Sequence, residues 1–511
     1  MMDSIKSVDR SLRTGLLSDL RWVPWALAAY FVVQTIVRIT LSNSLRIDEA
    51  QQFLVAQWLD WGYDEQPPLY YWLQYGVFAV FGTTLASMVV VKNLLLFLVY
   101  YSYHRLARLL LADKGMAAIA TLSLLTMPQM FWQAQRDLTH TVGTLLAICL
   151  FLYYVVVTLR KPSLVSYALM GICVGGGMLT KYNFALIVLA TFVAVLRHPD
   201  GLKRVLDKRF LLTLALAVLV FLPHGLWMVS HMGDVLDQTT RTMAEQGQGN
   251  KLSDIGNGLK ELFGTGIVII LPTAVIFLIF FRTSFVQSFR ARSQWSDFMG
   301  TILLVTLAIL LAMIVVVTLT TFRDRWLLPF LFLAPLYFCV KLEAHGVGSA
   351  PVLKTFLYLP IAMMVALPII MAAGVLFPKS GSYEHMNTPY RTFVEKVVAE
   401  EGREPAAVVT ISWLRAGNLR LNMPSTPIIS MDYPLFDPDS ASLGDGPILL
   451  VWNERNGSAS AMPGSLSEWV AKKYGPALAN PQQRDMALPY YYGSDPDRYH
   501  FGYAWVYPKG K

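Results

Sequence analysis

The sequence predicts a polytopic α-helical membrane protein with a small α/β domain at its C-terminal end. Three observations carry that prediction. Hydrophobic residues make up 55% of the chain and charged residues 15%, against about 25% charged in an average soluble domain. Apolar runs of spanning length recur from Trp22 to Phe377. From Pro378 onward those runs stop, and short β-like stretches punctuated by Pro, Gly, Asn and Asp replace them. A 511-residue soluble protein could not cover its surface with so few charges. The composition therefore excludes a cytosolic enzyme, a disordered chain and a fibrous repeat.

A helix crosses the hydrocarbon core with about 20 apolar residues. Candidate spans fall at 22–42, 85–103, 116–133, 141–159, 164–179, 182–196, 210–230, 264–281, 299–320, 326–340 and 355–377. The pair 164–179 and 182–196 is short, and the run Gly175-Gly176-Gly177 lies just before its junction at Lys181. No short apolar core ending in small residues precedes the first run, which is expected to act as an uncleaved anchor.

Lys and Arg set the expected orientation. With the N-terminus inside, segments 1–21, 104–115, 160–163, 197–209, 282–298 and 341–354 hold about nineteen of them. The outside loops 43–84, 134–140, 180–181, 231–263 and 321–325 hold about eight. The same topology accounts for the net charge of +8 without nucleic acid. Cys149, Cys173 and Cys339 each sit in an apolar run without metal-ligand spacing, and read as small buried hydrophobes.

The expected domains are a membrane part, 1–377, and a C-terminal α/β domain, 378–511, outside the membrane. Strand-like stretches run Ala407 to Ser412, Pro447 to Trp452 and Tyr499 to Tyr507, with a helix-like segment from Ser465 to Tyr474. The aromatics Tyr499, Phe501, Tyr503 and Trp505 read first as the alternating faces of a strand. Stacking on sugars is the alternative, for them and for Tyr490-Tyr491-Tyr492.

The first outside loop, 43–84, is too long for a connector. Ala50, Phe53, Leu54, Trp58 and Trp61 recur at helical spacing, which predicts an amphipathic helix in the interface. A second short apolar helix fits 68–81. Two acidic pairs flank these helices, Asp48-Glu49 and Asp64-Glu65. Each pair alone is an ordinary helix start or turn; together, beside a membrane, they suggest a site. Asp137 lies in the next outside loop, while Lys181, Arg323 and Arg325 are outside cations that oppose the positive-inside trend. A carboxylate can draw the proton from an attacking hydroxyl, and cations stabilise charge on a departing phosphate. Outside the cytoplasm no nucleotide supply exists, so an activated sugar there would be lipid-linked. His140, His224 and His231 are isolated and read as surface or interface residues.

The Asp48-Glu49-Ala50 start after the first span resembles the family 39 glycosyltransferases. So do Trp61-Gly62-Tyr63 and Pro67-Pro68-Leu69, with support from Leu179-Thr180-Lys181-Tyr182 and Arg325-Trp326-Leu327-Leu328-Pro329. That family includes protein O-mannosyltransferases and the lipid A aminoarabinose transferase. The resemblance covers residues 22–340 or so. It implies a GT-C fold with about 11–13 transmembrane helices and inverting transfer of a sugar from a polyprenyl phosphate on the noncytoplasmic face. Asp48, Asp137 and Glu65 are the implied catalytic acids. Glu49, Gln66, Lys181, Arg323 and Arg325 are the implied donor-phosphate and substrate contacts. Relatives often carry His or Lys just before the Pro-Pro pair. Gln66 stands there instead, and a neutral amide cannot neutralise phosphate, which moves that role toward Lys181, Arg323 and Arg325.

The expected partners are a polyprenyl-phosphate sugar, a glycolipid or protein acceptor and membrane lipids, with the chain a monomer in the inner membrane, its N-terminus cytoplasmic and its C-terminal domain periplasmic. No cofactor is required by the sequence, but Asp48, Glu49 and Glu65 could supply hard oxygen ligands to Mg²⁺ or Mn²⁺. The competing readings are a flippase or transporter of a lipid-linked sugar and a polysaccharide polymerase. A transporter keeps ionisable residues along a mid-membrane path, whereas here the spans are almost free of them. The residues do not name the sugar.

Overall fold

A computed structural model describes residues 20–63, 66–231, 233, 249–452, 461–493 and 497–509. Among the described residues, eight helices are long and apolar enough to cross a membrane: Trp22–Leu41, Leu85–Leu110, Thr139–Arg160, Phe210–Ser230, Lys251–Phe281, Gln294–Val317, Asp324–Ala344 and Leu353–Leu376. Three shorter apolar helices, Lys114–Thr126, Leu164–Met178 and Phe184–Arg197, match the remaining expected spans.

The chain divides into two compact units. The first comprises Met1–Val32, Asp64–Tyr70 and Lys92–Leu367. Here the helix Leu164–Met178 packs on both Thr139–Arg160 and Phe210–Ser230. Gly171 and Gly175, four residues apart, meet the backbone of Phe210–Ser230, and a Cβ on either would stand 2.5–2.7 Å from the Thr213 or Ala217 carbonyl oxygen. Small residues at this spacing let two helices approach where lipid supplies no hydrophobic drive. Only 11% of Phe210–Ser230 is buried, so its outer leucines and valines face lipid. Asp324–Ala344 is 78% buried and lies inside the unit.

Two expected spans are broken. Residues 114–136 form an α-helix (Lys114–Leu122), a 3₁₀ turn (Ser123–Thr126), a π-turn (Gln129–Gln133) and a last α-turn (Ala134–Arg136). Pro128 has no N–H for a continuous ladder. Residues 324–344 divide at Phe332–Leu333 into Asp324–Leu331 and Ala334–Ala344. The Tyr103 hydroxyl donates to the Phe332 carbonyl and accepts from Leu336 N–H, both at 3.0 Å. It thus satisfies backbone that a broken helix would leave bare in an apolar interior.

The second unit comprises Val33–Tyr63, Tyr71–Val91 and Pro368–Lys511. Its five strands are β1 (Ala407–Thr410), β2 (Ile428–Ser430), β3 (Ile448–Trp452), β4 (Gln483–Pro489) and β5 (Arg498–Val506). They form one mixed sheet in the order β2-β1-β3-β5-β4. β1 pairs in parallel with β2 and β3, and β5 runs antiparallel to β3 and β4. Side chains alternate across the sheet. Val408, Leu449, Val451, Phe501, Tyr503 and Trp505 join one core. Val409, Leu450, Trp452 and Val506 join the other, with Trp469 of the helix Gly464–Tyr474. The β5 aromatics Phe501, Tyr503 and Trp505 are thus core residues, not a sugar platform. The first core also holds residues of the helix Tyr390–Glu401, the helix Trp413–Asn422 and the helix Ile47–Val55.

Candidate active site

The helix Ile47–Val55 opens right after the first span, and its first turn carries Asp48 and Glu49. The two acids have opposite surroundings. Glu49 is 1% exposed. Its carboxylate accepts from Arg38 Nε at 3.0 Å and Arg38 Nη2 at 2.7 Å, and from the Arg46 N–H at 3.0 Å. The Arg38 guanidinium also donates to the Ser42 and Ser44 carbonyls. One buried bidentate pair therefore fixes the end of the helix Trp22–Leu41 and the start of the next. Glu49 is committed to this pair, and Asp48 beside it is half-buried.

Helix Trp413–Asn422 holds this acidic turn from behind. Gly417 lies against the Ala50 backbone. The Asn418 side chain accepts from Leu45 N–H at 2.7 Å and donates to the Leu414 carbonyl at 2.8 Å. In the same unit, Trp58 stacks on Phe436 with centroids 4.9 Å apart. The Tyr63 hydroxyl is pushed up to about 12, mainly by burial, so it stays protonated.

In the first unit, Lys181 is 8% exposed. Its Nζ donates to Thr141 Oγ1 at 2.8 Å and lies 3.5 Å from the Arg325 carbonyl oxygen. The Leu69 N–H donates to the Leu179 carbonyl at 3.0 Å, which joins the chain just after Pro67-Pro68 to the Lys181 turn. A cavity of about 160 Å³ opens beside it. Gln66, Lys181, Asn183 and Thr321 are polar members of its lining, and Leu186, Leu310, Met313, Phe322, Leu327 and Phe330 are apolar ones. Such a cavity suits an amphiphile with an anionic head.

Asp137 is half-buried, between the turn Ala134–Arg136 and the left-handed Leu138 (φ 70°). A non-glycine residue in that region costs about 1 kcal/mol or more and often marks a functional turn. The buried Lys92 ammonium donates to the Gln135 carbonyl at 3.0 Å and anchors this turn. Lys92 and Arg38 are thus two buried cations within predicted spans, both bonded to backbone carbonyls. Arg323 and Arg325 are half-buried, with Arg323 over the Trp326 ring at 5.7 Å.

Of the predicted site residues, Gln66 and Lys181 share the cavity, and Arg325 meets Lys181 through its carbonyl. Arg323 and Asp137 lie in the same unit, Asp48 and Glu49 in the other. Glu65 lies outside the described residues, and so does its neighbour Asp64. No group of three His, Cys, Asp or Glu side chains among the described residues is placed to hold a metal ion.

The sequence reading missed Thr141, Asn183 and two histidines. His140 is 6% exposed, with its ring 5.5 Å from that of Tyr70. His224 is fully buried and 3.0 Å from the Tyr182 hydroxyl. Neither is a surface residue. The usable signal was position: His140-Thr141 follows Asp137 directly, and Tyr182 follows Lys181.

This helical membrane bundle, with Lys181 in the lining of a mostly apolar cavity, defines a class, and comparison with known proteins agrees. Residues 65–227 match the family described as dolichyl-phosphate-mannose-protein mannosyltransferase. The lipopolysaccharide core galacturonosyltransferase RgtB of Rhizobium johnstonii is 40% identical over 493 residues, covering 96% of this chain and 99% of that protein. RgtA of the same organism, also a lipopolysaccharide core galacturonosyltransferase, is 35% identical over 491 residues, covering 94% and 97%. Among solved structures, ArnT from Cupriavidus metallidurans bound to undecaprenyl phosphate superposes with a TM-score of 0.57 at 14% identity. It covers 84% of this chain and 93% of that one. The chain belongs to the same glycosyltransferase family as RgtB and RgtA, and it has the GT-C fold of ArnT. It is a multi-pass membrane enzyme that transfers a sugar, and the flippase and polymerase readings are not favoured.

Proposed function

We propose that this enzyme transfers one uronic acid sugar from a polyprenyl phosphate to the core oligosaccharide of a lipopolysaccharide, on the periplasmic face of a bacterial inner membrane. The observation that carries the donor class is Lys181, a cation in the lining of a mostly apolar cavity. The two relatives' names support the sugar and the acceptor. The excess of Lys and Arg in the loops assigned inside supports a cytoplasmic N-terminus and a periplasmic C-terminal domain.

The acceptor hydroxyl attacks the anomeric carbon from the face opposite the phosphate. The carbon–phosphate-oxygen bond breaks as the new glycosidic bond forms, and the configuration inverts. Asp48 takes the hydroxyl proton. Lys181, with Arg323 and Arg325, stabilises the lipid phosphate as it leaves, and Gln66 binds it by hydrogen bonds alone. Asp137 and Glu65 orient the sugar and acceptor. Residues 1–377 supply the membrane-embedded catalytic part, while 378–511 brace the acidic turn through Gly417 and Asn418. The enzyme works as a monomer; the sequence requires no cofactor, and loss of the purified protein's rate in EDTA, restored by Mg²⁺ or Mn²⁺, would reveal a divalent cation on the loop-one acids.

Mass spectrometry of lipopolysaccharide from cells with and without the gene tests the reading. Loss of one hexuronic acid residue from the core is expected, with restoration by the wild-type gene but not by Asp48→Asn. Loss of a neutral hexose or an aminosugar would overturn the sugar class. An unchanged core would overturn the acceptor.

A further inference from the structure

A second cavity, of about 700 Å³, lies in the first unit beside the start of the helix Trp22–Leu41 and the end of the helix Leu85–Leu110. Arg21, Arg105, Arg108 and Lys114 line it, with His104, and among the described residues no carboxylate lines it. We propose that this cavity binds the phosphate headgroup of a membrane lipid, at a site separate from Lys181.

The cations come from three places: Arg21 ahead of the first helix, Arg105 and Arg108 near the end of Leu85–Leu110, and Lys114 at the opening of Lys114–Leu122. Cations gathered around one cavity repel each other, and an anion relieves that repulsion. Two described acids next to it in sequence or contact, Asp113 and Glu343, are engaged elsewhere. Asp113 accepts from the Gly115 and Met116 N–H groups and from Ser349. Glu343 accepts from the Ala112 and Asp113 N–H groups. Arg108 Nη1 is buried with no hydrogen-bond partner among the described residues, and an orphaned guanidinium N–H costs free energy until an acceptor reaches it. Arg21, Arg105 and Lys114 are exposed around the cavity, and Arg108, half-buried, brings the unused donor into it.

The remaining wall names the rest of the ligand. Leu20, Pro24 and Leu109 are apolar, and Trp25, 77% exposed, stands at the rim. Cations beside an apolar wall suit an amphiphile, and basic pockets between spans are a recognised form of anionic headgroup site. The volume admits a whole headgroup rather than a lone inorganic ion. Arg105 bonds the Tyr153 hydroxyl, twelve residues along the helix Thr139–Arg160 from Thr141, where Lys181 is held. At 1.5 Å per residue that is about 18 Å along the axis. In the orientation proposed above, the cavity opens on the cytoplasmic side. The lipid phosphate could belong to an anionic phospholipid or to a polyprenyl phosphate.

Native mass spectrometry of the purified full-length protein distinguishes these. The protein is titrated with cardiolipin, phosphatidylglycerol, undecaprenyl phosphate and, as a neutral reference, phosphatidylcholine. Wild type should retain at least one anionic lipid about tenfold more tightly than phosphatidylcholine. Arg108→Gln, and separately the rim double variant Arg21→Gln/Lys114→Gln, should each lose about tenfold in that affinity, as expected for charge-assisted phosphate contacts. Transfer activity in phosphatidylcholine nanodiscs should stay unchanged in both. Selective retention of phospholipid assigns the cavity to phospholipid. A second equivalent of undecaprenyl phosphate that survives Lys181→Gln but not Arg108→Gln assigns it to the polyprenyl lipid. No preference over phosphatidylcholine, or retention equal to wild type in a monodisperse variant of unchanged melting temperature, overturns the proposal. Should Arg108→Gln fail to fold, the rim variant carries the test.

Discussion

Gly417→Ala perturbs the proposed catalytic turn without touching any group that could react. Gly417 sits on the helix Trp413–Asn422, against the backbone of Ala50, two residues beyond Asp48. A Cβ at 417 would overlap the Ala50 carbonyl oxygen and stand 2.5 Å from the Ala50 Cα and carbonyl carbon. Carbon atoms rest comfortably at about 3.5–4.0 Å, so the two helices must part by about 1 Å. Overpacking of this kind costs about 1–3 kcal/mol, and a 1 Å misplacement of a reacting group can cost about 10²-fold in rate. We therefore expect kcat to fall about 10²-fold, the KM for the polyprenyl donor to move little, and the melting temperature to drop by several degrees. The assay is transfer from a polyprenyl-phosphate sugar by detergent-purified enzyme, run well below the variant's melting temperature. The buried cysteines Cys149 and Cys339 allow a thiol-reactive dye to report unfolding in the same sample. Wild-type kcat in a variant with a lowered melting temperature would refute the reasoning. The contact would then stabilise the fold without placing Asp48.

Three further expectations use other contacts. Lys181→Gln should lower kcat/KM by about 10²–10³-fold, the usual effect of removing one stabiliser of developing charge, and raise the donor KM; an unchanged rate would exclude Lys181 from phosphate binding. Glu49→Gln should destabilise the fold by about 3–5 kcal/mol, because it leaves the Arg38 charge buried without its counter-ion, whereas Asp48→Asn should keep the wild-type melting temperature and lose transfer. Asp113→Asn should flatten the acid limb of a melting-temperature-against-pH curve. Partial burial pushes the Asp113 carboxyl up, but bonds from Ser349, Met116 and Gly115 outweigh it and hold the group below its ordinary 3.8. Its contribution is present above pH 3.8 and lost as pH falls through the lower folded value. An acid limb identical to wild type would show that these bonds do not couple to folding.

The spans were legible because a run of apolar residues has one outcome in a bilayer, whatever it packs against. What hydropathy could not show is continuity. Met127-Pro128 and Leu331-Phe332-Leu333 are apolar on both sides of the break, and the groups that stabilise the second break belong to Tyr103, far away in sequence. In the terminal domain, β1 and β3 stood out as short β-rich runs, almost wholly apolar, and β5 by its alternating aromatics. β2 is three residues long. β4 is an exposed edge strand reading Gln-Arg-Asp-Met-Ala-Leu-Pro, a polar composition that edge strands use against unwanted pairing. The helix Trp413–Asn422 was missed because Arg, Gly and Asn dilute its pattern, although Gly417 and Asn418 are the residues that contact Leu45 and Ala50. Residues that serve a partner element carry little periodic signal of their own. The same holds for Thr141, whose place beside Lys181 depends on a fold contact forty residues away in sequence.

Asp48 and Glu49 show why a motif is read best through its surroundings. As letters the two acids are equivalent, and both open a helix whose dipole favours negative charge. One step along a helix turns a side chain by about 100°, so neighbours cannot share a face. Glu49 turns toward Arg38, whose guanidinium also closes the carbonyl end of the preceding span through Ser42 and Ser44. A carboxylate held by both guanidinium arms and a backbone N–H has few lone pairs left to accept a proton in a reaction. Asp48, half-buried, lies outside that pair. The buried acid supplies rigidity, and rigidity is what a general base needs if its oxygen is to meet one hydroxyl reproducibly. On this argument the sequential pair is one device. Arg38→Lys, which keeps the charge but loses the two-armed grip, should lower transfer while Asp48 itself remains intact.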